Sequence, residues 1–193
     1  LTFLKDQGWR SQVKQHLRYG GKVFGICGGF QMLGQEIFDP LSIESSEPKI
    51  EGLKLADFIT ELKPEKTLTQ VTATLNLSGC TSQISGYEIH CGQSSGNALN
   101  NPLITNLSTG KTCDGFVSTD DLIAGTYLHG LFDQEEVTKA ILNWVNPNHQ
   151  IKKFIDIATH REKQLERLSS VCEQHLNMDK VMEIMQSKGV NFE

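Results

Sequence analysis

A cysteine bracketed by glycines, Gly25-Ile26-Cys27-Gly28-Gly29, sits at a change of hydrophobic period. Before it, Lys22 to Ile26 is a short apolar run of the kind that forms a buried parallel strand. After it, Cys27 to Phe38 has helical period and stops before Pro40. Apolar-periodic helices open the chain, broken near Gly8 and stopped at Gly20-Gly21. Helix, strand, tight turn and helix make an α/β signature. G-x-C-x-G is the cysteine form of a nucleophile elbow. Such a turn strains its central residue and requires very small neighbours two positions to either side, here Gly25 and Gly29. It also sets the sulfur at the start of a helix, where exposed N–H groups and the dipole favour thiolate over thiol. The Gly28 N–H would then face a developing oxyanion, an interaction of roughly 3–4 kcal/mol. The segment alone also fits a tight turn around a buried cysteine, or a phosphate-binding loop, although no Gly-Lys-Ser/Thr follows.

The rest of the chain narrows the setting. Five cysteines, at 27, 80, 91, 113 and 172, are odd in number and include no CxxC pair, which argues against a disulfide framework or a zinc site and for a reducing cytoplasm. No metal site is expected. A net charge of -5 offers nothing to attract nucleic acid or an anionic membrane. No apolar run approaches the roughly 20 residues of a membrane helix, and no signal peptide is visible.

Beyond the elbow, residues 41 to 52 are expected as loop, and the alternation at Val71, Ala73, Leu75 and Leu77 predicts a half-exposed strand. Ile84 to His90, Phe116 to Ser118 and Leu122 to Leu128 are further strand candidates, so the middle is antiparallel or mixed sheet. A helix is predicted from Gln134 to Trp144, and residues 150 to 188 have helical period throughout. Met178, Met182 and Met185 fit a core stripe.

A cysteine nucleophile needs a proton acceptor, and histidine serves near neutral pH. His16, His160 and His175 lie in polar helical contexts and His149 follows a Pro-Asn turn, all expected at the surface. His129 ends the apolar strand Leu122–Leu128 and precedes Gly130, a strand-to-loop edge where α/β sheets present catalytic groups. His90, beside Cys91, is the rival. The residues alone leave both open.

Gly25-Ile-Cys-Gly-Gly-Phe-Gln-Met-Leu-Gly34 resembles the nucleophile motif of class I, triad-type glutamine amidotransferases. With Ile84-Ser-Gly-Tyr-Glu-Ile-His90 and Gly125-Thr-Tyr-Leu-His-Gly-Leu-Phe-Asp133, the chain is similar to the C-terminal amidotransferase domain of cobyric acid synthases, over Leu1 to roughly Met185. The resemblance implies a mixed sheet flanked by helices, with 1–148 as the glutaminase domain and 149–193 as a C-terminal helical segment packing on it. It implies Cys27 as nucleophile, His129 as base, and Gly28, Gln31, Tyr87 and Glu88 around the glutamine. Glutamine would pass through a γ-glutamyl thioester and release ammonia. No cofactor is expected in this chain. ATP and magnesium belong to an N-terminal synthetase domain of the same protein, which would activate carboxylates of a corrinoid, adenosylcobyrinic acid a,c-diamide, for amidation. By the same resemblance, that domain, and the first strands of the amidotransferase fold with a glycine loop supplying a second oxyanion donor, are expected to lie outside this sequence.

One departure from the wider class bears on chemistry. Many class I enzymes place Glu two residues after the catalytic His, where this chain has Leu131, as cobyric acid synthases do. The group that orients His129 is therefore open between Glu88, Asp133 and a backbone carbonyl, and slow intrinsic glutaminase activity is expected. Two other readings remain. One is an amidotransferase for another acceptor, as in cobyrinic acid a,c-diamide synthase or lipid II amidation. The other is a non-catalytic partner-binding domain. The Tyr87–His90 and Thr126–Phe132 stretches argue for cobyric acid synthase.

Overall fold

The computed structural model describes residues 1–148 and 155–187. The chain divides into two compact units, Leu1–Lys152 and Lys153–Glu193, and each is described by itself.

The first unit opens with α1 (Thr2–Asp6) and α2 (Trp9–Arg18), separated where expected by Gly8 in the left-handed region, φ 71°. His16 is exposed, as expected, and is also held: its Nε2 lies 3.1 Å from the Lys22 carbonyl oxygen, and its ring packs where Gly21 has no side chain. β1 (Val23–Ile26) leads through Cys27 into α3 (Gly28–Leu33). This helix is shorter than the expected span to Phe38. Gly34 is extended, packs its Cα against the Phe58 carbonyl, and hands the chain to β2 (Glu36–Phe38), which pairs in parallel with a later strand. Ile37 and Phe38, β-branched and aromatic, suit that strand better than a fourth helical turn. The expected loop at 41–52 likewise contains β3 (Lys49–Glu51), antiparallel to β2.

β4 (Ile59–Leu77) and β5 (Cys80–Ser95) form a long hairpin around Ser78-Gly79, φ 50° and 79°. Two positive φ angles in a two-residue loop match the twist of the strands. The alternation at Val71, Ala73, Leu75 and Leu77 buries all four, and each large apolar side chain contributes about 1.5–3 kcal/mol. Short β6 (Ile104–Thr105) and β7 (Cys113–Asp114) extend this sheet, while β8 (Phe116–Val117) and β9 (Ile123–Thr126) join β1 in a second one. β10 (Leu128–His129) returns to the first. The larger sheet runs β10-β5-β4-β2-β3 and the smaller β1-β9-β8, with β1 and β9 parallel. Gln134, at the predicted start, is the N-cap of α4 (Glu135–Val145). Trp144 anchors α4: its ring meets Phe24 edge-on at 6.0 Å and its indole N–H donates to Asp121 at 3.0 Å. The fold is mixed α/β, with helices against mixed sheets.

In the second unit, α5 (Ile157–His175) and α6 (Met178–Ser187) stand in place of the continuous helix expected over 150–188. Asp156 caps the first by accepting the Thr159 N–H, and Asn177 caps the second by accepting that of Lys180, so a new helix starts where the first one ends. Residues 150–154 and 188 of that span lie outside the described residues, as does His149. Met178 and Met182 are 40% and 41% exposed, so the methionines do not form a buried stripe.

Candidate active site

Cys27 stands between β1 and α3 with φ 51° and ψ -114°, a left-handed conformation strained for any residue with a Cβ. Two contacts hold it there: its N–H donates to the Thr126 carbonyl at 2.9 Å, and its carbonyl accepts the Gln31 N–H at 3.1 Å. The glycine requirement is one-sided. A Cβ on Gly25 would fall 2.8 Å from the Phe30 backbone, but one on Gly29 would meet nothing within 4 Å. The expectation that both positions must be very small is thus corrected: Gly25 faces Phe30, and Gly29 has room to spare.

Two influences on the thiol oppose each other. Burial pushes its pKa above the ordinary value, outweighing the Gly28 N–H, which draws it down. The Sγ–H donates to the Ile89 carbonyl at 3.6 Å, a contact a thiolate could not make as donor. The pull toward thiolate expected of the helix start is present in the Gly28 N–H, but lost hydration of the half-buried sulfur is the larger influence.

His129 pairs in register with Tyr87 across β10 and β5. The two rings are nearly parallel, 6° apart with centroids at 5.2 Å, and the buried His129 Nε2 has no hydrogen-bond partner. Among the described residues no hydrogen bond joins His129 to Cys27. Leu131, two positions on, is 1% exposed and part of the core.

Glu88, a candidate for orienting His129, is engaged elsewhere. Strand alternation sends it to the face opposite Tyr87, where its Oε1 accepts from Lys111 Nζ at 3.1 Å and lies 4.0 Å from His90 Nε2. His90 stacks on Tyr127 at 3.8 Å, its Nδ1 is 2.8 Å from the Gly92 carbonyl, and burial lowers its pKa. Lys111 also binds Asp114, which accepts the Tyr127 N–H and the Thr126 hydroxyl. Gln31 is buried, not solvent-facing: its amide donates to Tyr127 Oη at 3.4 Å, and Gly92 leaves the room for that approach. Glu88, His90, Lys111, Asp114 and Tyr127 line a cavity of about 620 Å³, and neither Cys27 nor His129 is among its walls.

Two groups of predicted residues therefore emerge, Cys27 with Gly28 at the elbow and His129 with Tyr87 on β10 and β5, with Gln31 and Glu88 in the neighbouring polar network. Lys111 and Asp114 are not legible in the sequence, since Gly110-Lys-Thr-Cys-Asp-Gly115 has only turn character, Lys111 meets Glu88 from 23 residues away, and Asp114 meets Thr126 from 12. Among the described residues no group of three or more His, Cys, Asp or Glu could hold a metal ion, and no helix is long and apolar enough to cross a membrane.

Residues 1–137 match the family described as CobB/CobQ-like glutamine amidotransferase domain. The cobyric acid synthase of Shewanella oneidensis is 44% identical over 96% of this chain, and the chain spans 38% of that relative's length. The structure of PurLQS from Thermotoga maritima is similar in fold, with a TM-score of 0.50 at 14% identity over 71% of this chain and 68% of that one. With the glycine-flanked cysteine at a strand-to-helix bend and the match over most of its length, the chain belongs to the CobB/CobQ-like glutamine amidotransferase domain family.

Proposed function

We propose that this chain is the glutaminase part of a cobyric acid synthase. The observation that carries the reading is the strained backbone of Cys27, φ 51°, at the bend between β1 and α3, a conformation that persists only when its surroundings enforce it. In the reaction, His129 takes the Cys27 proton as the sulfur attacks the γ-carboxamide carbon of glutamine. The Gly28 N–H donates to the oxyanion. His129 returns the proton to the leaving nitrogen and ammonia departs, leaving a γ-glutamyl thioester. Water, deprotonated by His129, attacks the thioester, and glutamate leaves as the thiol is restored. Gln31, in α3 just after the elbow, completes the surroundings of the substrate, with Tyr87 beside His129.

The ammonia would serve an ATP- and magnesium-dependent synthetase domain of the same longer protein, which amidates carboxylates of adenosylcobyrinic acid a,c-diamide in the cytoplasm. The 44% identity to a curated cobyric acid synthase supports that acceptor over other amidotransferase partners. The test is glutamate release by the full-length protein. Cys27→Ala is expected to abolish it while amidation from free ammonium continues. Undiminished glutamine-dependent amidation in that variant would end the proposal.

A further inference from the structure

Resting on the glutaminase reading, we propose that Tyr87 is the positioning residue of His129, an aromatic ring doing what a carboxylate does in a triad. A general base must be held in one ring orientation for its nitrogen to meet the proton it removes. His129 sits on a strand of two residues, followed at once by Gly130 in the left-handed region, φ 84°, so its own element gives it little support.

β5 supplies the support instead. Gly86 brings its Cα so close to the His129 carbonyl that a Cβ would fall 2.1 Å from that oxygen, which seats the backbone. The next residue, Tyr87, is the register partner of His129 and lays its ring parallel to the imidazole at 5.2 Å. A parallel ring at that separation is a favourable offset stack. Partial rotation of the imidazole about its Cβ–Cγ bond would drive a ring edge into the face of Tyr87, so the stack fixes the plane of the ring. The same face, rich in π density, favours the imidazolium that forms when the thiol proton is taken.

Two other positions lead away from this role. Leu131 is in the core and cannot accept a hydrogen bond. Glu88 points to the opposite face and is bound by Lys111. Tyr87 is also 46% exposed, more than a ring needed only for core packing would be.

The experiment is steady-state glutaminase kinetics on the full-length protein with Tyr87→Leu and Tyr87→Phe, beside Cys27→Ala and His129→Ala. Tyr87→Leu is expected to lower kcat about tenfold, the upper end of what an aromatic pair supplies, with KM for glutamine within about twofold. Tyr87→Phe keeps the ring and is expected to recover most of that loss. In histidine-labelled protein, the His129 ring-proton resonance should move in Tyr87→Leu and stay in Tyr87→Phe as the ring current is lost or kept. A folded Tyr87→Leu with wild-type kcat, a loss confined to KM, or a Tyr87→Phe as impaired as Tyr87→Leu each overturns the proposal. The last two would make Tyr87 a substrate contact or a hydroxyl donor. If Tyr87→Leu does not fold, Tyr87→Gln gives the same comparison. Activity that survives Cys27→Ala and His129→Ala refutes the glutaminase reading itself, a separate outcome.

Discussion

At Cys27 two effects of opposite sign meet on one sulfur. Burial disfavours the thiolate, the Gly28 N–H favours it, and burial wins. The Sγ–H donates to the Ile89 carbonyl, so the proposed nucleophile has a proton to lose before it attacks. Because its pKa is raised, the thiolate fraction at neutral pH is below that of an ordinary cysteine and grows only as pH passes the usual thiol value of about 8.5. Iodoacetamide modification, followed at Cys27 by peptide mass spectrometry, should be slow at pH 7 and accelerate steadily above about pH 8.5. Cys80, which is exposed, serves as the internal comparison. A Cys27 rate already level between pH 6 and 8 would mean a standing thiolate and would contradict that balance.

The elbow as an element depends on its two flanking glycines unequally. Gly25→Ala would place a Cβ 2.8 Å from the Phe30 backbone and from Leu33 Cδ1, so α3 has to shift. Overpacking of this kind typically costs about 1–3 kcal/mol, and moving α3 also moves Cys27. Gly29→Ala adds a methyl where nothing lies within 4 Å and gains helix propensity, up to about 1 kcal/mol. Urea unfolding followed by glutaminase assay should find the first variant destabilised and inactive and the second at least as stable as the parent. Equal losses would mean that both glycines are sterically required. The elbow was legible in the sequence because a strand period and a helix period meet at Cys27. Its asymmetry was not, because it depends on where Phe30 returns. The end of α3 was missed for a similar reason: Gly34 is a helix stop only because the Phe58 carbonyl comes against it from 24 residues away. Val71 to Leu77 announced a strand by alternation, whereas the Ile59-to-Gln70 half of β4, with its threonines, lysines and glutamates, carries no comparable pattern and is defined by pairing with β5. His129 was placed at a strand end from its local pattern, but its stacking on Tyr87 is a matter of register between strands, which no local pattern contains.

Across the Leu1–Lys152 unit, the two sheets share a polar junction. Lys111 bonds to Glu88 on β5 and to Asp114 on β7, both in the larger sheet, and Asp114 in turn accepts from Thr126 at the end of β9, in the smaller one. Glu88 and Asp114 are 3% and 5% exposed, so without the cation two carboxylates would be left buried and uncompensated. Removing one partner of a buried ion pair costs about 3–5 kcal/mol. The Lys111 side chain keeps 44% of its exposure, and solvent screening brings the expected loss in Lys111→Met to about 2 kcal/mol. For a chain of this size that lowers Tm by about 4–8 °C. The pH dependence separates charge from packing. Burial opposes the Lys111 charge, but Asp114 and Glu88 together outweigh it and hold its pKa above the ordinary lysine value. A group whose folded pKa is raised contributes fully below its unfolded value, about 10.4, and that contribution is lost as pH rises through the folded value. The stability gap between parent and Lys111→Met should therefore be level from neutral pH to about pH 10 and narrow above it. Trp9 and Trp144 both lie in this unit, so denaturant titration followed by tryptophan fluorescence reports on it directly. A gap unchanged at the highest pH would assign the loss to the methylene stem of Lys111, and no gap at any pH would mean that water satisfies the two carboxylates without it.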